Sequence, residues 1–97
     1  MAEGEVFVLV EVVKVHDADG LANYQAGARA QLSELEGVVV GRGFEPVDGE
    51  QPFGGLLIQK WPSAKAFRDW QESEAYRPLK ELRLKSVEMR IGIVPCV

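Results

Sequence analysis

The stretch Trp61–Arg83, WPSAKAFRDWQESEAYRPLKELR, decides the fold. Pro62 has no backbone donor and ends the segment before it, and Ser63 is a helix cap. Phe67 and Trp70 then recur at helical spacing as far as about Glu72. Ser73 offers a second cap. Pro78 inside a helix would cost about 3 kcal/mol, but in a first turn that cost largely vanishes. The spacing therefore predicts a helix, a turn capped by Ser73, and a second helix from near Pro78 to about Ser86, anchored by Leu79 and Leu82. RIGIV at Arg90–Val94 follows as a strand.

Upstream, LLIQKW at Leu56–Trp61 is another strand. The polar, Gly/Pro-rich DGEQPFGG separates it from VVVGRGFEPV at Val38–Val47, so these two strands form an antiparallel hairpin. A helix is expected over 18–36: Asp17 caps it, Asp19 complements its positive end, and Leu21, Tyr24, Ala28, Leu32 and Leu35 form one stripe. Gly37 is expected to end it in a left-handed conformation. Before it, VFVLVEVV at Val6–Val13 carries only one charge, Glu11, and reads as a strand buried on both faces.

The order is β-α-β-β-α-β. Right-handed crossovers place the first and third strands at the centre of a four-stranded antiparallel sheet with both helices on one face, an α+β, ferredoxin-like fold in one domain, 1–97. Helices cover only one face, yet Phe7, Leu9 and Val13 are as apolar as Val6, Val8, Val10 and Val12. The third strand repeats this, with Leu57 and Trp61 against Leu56 and Ile58. Phe7, Leu9, Leu57 and Trp61 are assigned to the uncovered face, where a second copy laid face to face completes a barrel-like homodimer. On that assignment Trp61 is an interface residue.

Ninety-seven residues suit one domain, and the net charge of −4 argues against nucleic acid and anionic membranes as partners. The basic residues are interleaved with acids, as in KELRLKSVEMR. A single cysteine, Cys96, fits a reducing compartment. The start, MAEGE, is acidic, and the longest apolar run, Val6–Val10, falls far short of the ~20 residues of a membrane helix. The chain reads as cytoplasmic.

WPS at 61–63 with Ala66 and Trp70, SEAYRPLKELR at 73–83, Gly-Arg-Gly at 41–43 and HDADGLANY at 16–24 together resemble the family called domain of unknown function 1330, of the dimeric α+β barrel superfamily. The similarity spans roughly residues 6–94 and is most specific at Trp61-Pro62-Ser63, Ser73-x-x-Tyr76 and Arg83. It implies a ferredoxin-like homodimer without an established activity. Lys60 departs from the pattern, since many members carry Glu there.

No spacing in the sequence supports a metal or haem site: the one histidine, His16, and the one cysteine, Cys96, stand eighty residues apart. No nucleophile elbow occurs, and Ser33, Ser63, Ser73 and Ser86 all have helix or cap roles. The Gly-Arg-Gly lies within a strand, not at a strand-to-helix turn, so it is no phosphate cradle. No cofactor is expected. The polar candidates for a pocket are Glu11, Arg42 and Gln59 from strands, Tyr76 and Arg83 from the second helical region, and His16 at its mouth, with Trp61, Phe7 and Phe44 as walls. Each has a plainer role: Glu11 and Arg42 as a structural ion pair, Tyr76 and Arg83 as braces of the broken helix, His16 as an exposed junction residue, Tyr24 as packing.

Two functions fit. One is a homodimeric module that binds a small molecule between sheet and helices, or is structural, without catalysis. The other is a cofactor-free enzyme, monooxygenase- or isomerase-like, acting on an aromatic or polyketide-like substrate, which is what related dimeric barrels imply.

Overall fold

The computed structural model describes residues 4–50 and 54–97. Its elements are β1 (Val6–Val15), α1 (Ala18–Leu32), β2 (Val38–Arg42), β3 (Gly55–Trp61), α2 (Ala64–Gln71), α3 (Arg77–Ser86) and β4 (Val87–Pro95). The sheet order is β2-β3-β1-β4, with every neighbouring pair antiparallel. This is the expected ferredoxin-like arrangement, with β1 and β3 central.

The caps work as their side chains dictate. The Asp17 carboxylate accepts from the Gly20 backbone N–H at 3.1 Å, and the Ser63 hydroxyl accepts from that of Ala66 at 3.0 Å. In the break between α2 and α3, the Ser73 hydroxyl donates to the Trp70 carbonyl at 2.7 Å and accepts from the Tyr76 N–H at 3.2 Å. One hydroxyl thus ties the end of α2 to the turn that leads into α3, and Pro78 falls in the first turn of α3.

Several boundaries differ from expectation. Helix α1 stops at Leu32, and Leu35 is exposed. Gly37 therefore ends no helix; the Trp61 indole packs directly on its backbone, where any Cβ would collide with the ring. Strand β2 ends at Arg42, with a bulge between Val39 and Gly41, while β4 starts immediately after α3 and is longer than RIGIV. Residues 51–53 of the expected polar loop lie outside the described residues.

The register corrects the assignment of faces. Val6 stands opposite Trp61, Val8 opposite Gln59 and Val10 opposite Leu57, so these share the helix-covered side. Phe7 pairs with Lys60 and Leu9 with Ile58 on the other side. Trp61 and Leu57 thus lie under the helices, not on the uncovered face. Trp61 stacks on Trp70 with ring centroids 5.6 Å apart and meets the edge of Phe67 at 5.4 Å. Val6, Val8, Tyr24, Ala28 and Tyr76 complete this core.

Candidate ligand-binding site

The aromatic cluster fills one end of the space between sheet and helices. Beside it lies a cavity of about 320 Å³, walled by Val10, Leu57 and Ile91 from the sheet, Ala28 and Leu32 from α1, and Phe67 from α2. This is near the lower limit of ordinary small-molecule pockets, about 300–1,000 Å³. Its polar lining is one-sided in charge. Arg29 and Arg42 stand at the rim, Tyr24, Gln59 and Gln71 lie within, and among the described residues no carboxylate contributes. Neither Arg29 nor Arg42 has an ion-pair partner among the described residues.

Gln59 is held by chemistry that fixes its orientation. The Trp61 indole N–H has only a donor to offer, and it donates to Gln59 Oε1 at 2.8 Å. The amide nitrogen must then point away from Trp61, and it has no partner among the described residues. A second clamp ties α1 to the helix break. Trp70 Nε1 donates to Gln31 Oε1 at 2.9 Å, and Gln31 Nε2 donates to the Ala75 carbonyl at 2.7 Å.

From Tyr24 on the cavity wall a chain of three polar side chains runs back into the core. Arg83 Nε donates to the Tyr76 hydroxyl at 3.2 Å, and the Tyr76 and Tyr24 hydroxyls are 2.6 Å apart. Burial, reinforced by the adjacent Tyr76, pushes the Tyr24 hydroxyl far above the usual phenol range, against a smaller opposing pull from Arg83. The Tyr24 hydroxyl therefore keeps its proton.

The sequence candidates thus separate. Arg42 and Gln59 line the cavity, Tyr76 and Arg83 stand one link behind it, and Trp61 braces Gln59 from the core. Glu11 lies on the opposite sheet face, where it accepts from the Gly54 N–H at 3.2 Å and approaches Arg90 at 3.8 Å, so it does not pair with Arg42. His16 is exposed at the β1–α1 junction, 3.3 Å from Glu88, away from the cavity. Phe7 faces the uncovered side and Phe44 does not line the cavity. Sequence reasoning missed Arg29 and Gln71, and read Tyr24 as packing. The stripe placing Tyr24 on the core side of α1 was visible, but a stripe does not show which core residues border a cavity. Among the described residues no group of three His, Cys, Asp or Glu is placed to hold a metal ion. No helix there is long and apolar enough to cross a membrane.

A sheet with helices on one face and a cavity between the layers defines a ferredoxin-like α+β protein with room for a small ligand. The chain belongs to the family described as a domain of unknown function, DUF1330, whose model matches residues 5–97. No curated protein matches it significantly. Among solved structures, a protein of unknown function from Rhodopseudomonas palustris has a TM-score of 0.80 at 22% identity, over 99% of this chain and 85% of that one. SnoaB, a cofactor-independent oxygenase from Streptomyces nogalater, follows with TM-score 0.66 and 18% identity, over 99% and 95%. A dimeric protein of unknown function with a ferredoxin-like fold from Bacteroides fragilis has TM-score 0.63 and 11% identity, over 99% and 100%. At such identities the likeness carries the fold alone.

Proposed function

We propose that this chain is a cytoplasmic homodimer that binds a small molecule in the cavity between its sheet and its helices. The observation that carries this reading is the lining itself: apolar walls with donors and guanidinium groups but no carboxylate. Such a surface rewards a ligand with a flat apolar body and a negatively charged or strongly accepting end. The uncovered sheet face supports the dimer, since Phe7, Leu9 and Ile58 are only half-buried in the single chain and Val94 is exposed. A second copy seated there is the economical cover for a sheet of this kind, and a protein of similar fold is itself described as dimeric.

A cofactor-free enzyme is the second reading. The neighbour described as a cofactor-independent oxygenase favours it, because that chemistry draws on the reactivity of the substrate and asks the protein chiefly for a dry, donor-lined pocket.

A thermal-shift screen of the purified protein against aromatic and acidic metabolites tests the binding reading, with Leu57→Trp as the control that fills the cavity. Aromatic acids are expected to raise the melting temperature of the wild type and leave Leu57→Trp unmoved. Shifts that persist in the filled variant, or none for any compound class, would remove the cavity as the binding site.

A further inference from the structure

The count of protons in the Tyr24–Tyr76–Arg83 chain fixes its direction. A phenol hydroxyl donates once and accepts up to twice, and a guanidinium only donates. Tyr76 is 0% exposed, Tyr24 8% and Arg83 9%. Arg83 Nε donates to Tyr76, whose own proton then has a single acceptor among the described residues, the Tyr24 oxygen at 2.6 Å. The reverse order, Tyr24 donating to Tyr76, would strand the Tyr76 proton in a site closed to water, a costly arrangement. The satisfied order runs Arg83 to Tyr76 to Tyr24, leaving the Tyr24 proton free where that residue lines the cavity. Arg83 has no carboxylate partner among the described residues, so its charge is not neutralised locally. Each bond in such a series polarises the next.

We infer that Tyr24 is a polarised hydrogen-bond donor aimed into the cavity, driven by the buried Arg83 through Tyr76, and that it selects ligands presenting an oxyanion, a carboxylate or phenolate, on an aromatic body. This rests on the cavity as the binding site and adds to it a direction and a ligand class. The Gln59 amide nitrogen and the rim guanidiniums of Arg29 and Arg42 supply further donors on the same lining. Burial, the largest cause of the raised pKa, keeps the Tyr24 proton in place, so the residue stabilises charge on the ligand and does not remove protons from it.

Two measurements test this. Without ligand, NMR of the hydroxyl protons is expected to show a slowly exchanging proton correlated through bonds with the Tyr76 ring and lost in Tyr76→Phe. A slow proton carried by the Tyr24 ring instead would reverse the chain and overturn the inference. With ligand, calorimetric titration compares 2-naphthoate with its neutral counterpart 2-naphthamide. The wild type is expected to prefer naphthoate, and Tyr24→Phe to lose about tenfold or more in naphthoate affinity while holding naphthamide nearly constant. Arg83→Met is expected to reduce the same preference by less. A change that merely loosens the fold moves both probes together, so the ratio separates the two causes. An unchanged ratio in Tyr24→Phe overturns the inference alone. Failure of both probes to bind overturns the cavity reading beneath it, and the inference with it.

Discussion

The two faces of the sheet are made from similar residues and meet different fates. Val6, Val8, Gln59 and Trp61 lie beneath helices and are buried, whereas Phe7, Leu9 and Ile58, one position away on the same strands, are covered by no helix among the described residues and stay half-exposed. Apolar content does not determine which face receives the helices. The crossovers do, together with the offset at which β3 pairs with β1. One face gains its specificity from shape: an indole fitted onto Gly37, a hydroxyl chain and a cavity. The other carries Phe7, Leu9, Ile58 and Val94 among the charges of Glu11, Lys60 and Arg90, and has no comparable shape-fitted contacts among the described residues.

Truncation of Trp61 separates the faces most sharply. Its ring touches Phe67 and Trp70, and its indole N–H holds Gln59, so Trp61→Ala removes the centre of the core. A loss of about 3–5 kcal/mol in unfolding free energy is expected, measured by denaturant titration at fixed protein concentration. If Trp61→Ala instead kept near-wild-type stability but dissociated, Trp61 would belong to the open face after all.

The open face is probed by a charge at its middle. Ile58 stands opposite Leu9 on the uncovered side. Ile58→Asp is expected to raise the dimer dissociation constant a hundredfold or more, about 2.7 kcal/mol, because a carboxylate would be buried there without a partner. Analytical ultracentrifugation reads it. The far-ultraviolet circular dichroism of the dilute monomer should stay native, since the helix-side core is untouched. A variant that self-associates like wild type would show this face to be free in solution.

These two variants also mark where the sequence stopped being informative. The break between α2 and α3 was legible from local chemistry: Ser63 and Ser73 cap, Pro78 suits only a first turn, and each acts within a few residues. The alternation within each strand was equally legible. The set of β3 residues standing beside Val6 and Val8 was not, because it depends on a long-range pairing offset, and a shift of one residue exchanges the faces. That single uncertainty moved Trp61 and Leu57 to the wrong side and brought Glu11 into an imagined pair with Arg42. The start of α1 followed from Asp17, but its end did not follow from Gly37, whose small size serves a distant indole. In the candidate site, the charge and chemistry of Arg42, Gln59, Tyr76 and Arg83 were visible in the sequence. The bond from Arg83 to Tyr76 and on to Tyr24 spans three segments and becomes visible only once they are packed together.

Gly92 gives the finest measure of how closely anything approaches the open face. It stands opposite Leu9 on β4, and a Cβ built there meets nothing within 4 Å in the single chain. In the monomeric Ile58→Asp background, Gly92→Ala is expected to stabilise the strand by about 0.5–1 kcal/mol, because alanine loses less backbone freedom on folding. In the wild-type background the proposed partner sheet leaves the added methyl group little room, and the gain should shrink or change sign. The difference between the two backgrounds, read by denaturant titration of all four proteins, is a coupling energy that reports contact with the partner. Equal effects in both backgrounds would place nothing over Gly92, and the face that looks made for a second copy would have to be covered by something that leaves its centre bare.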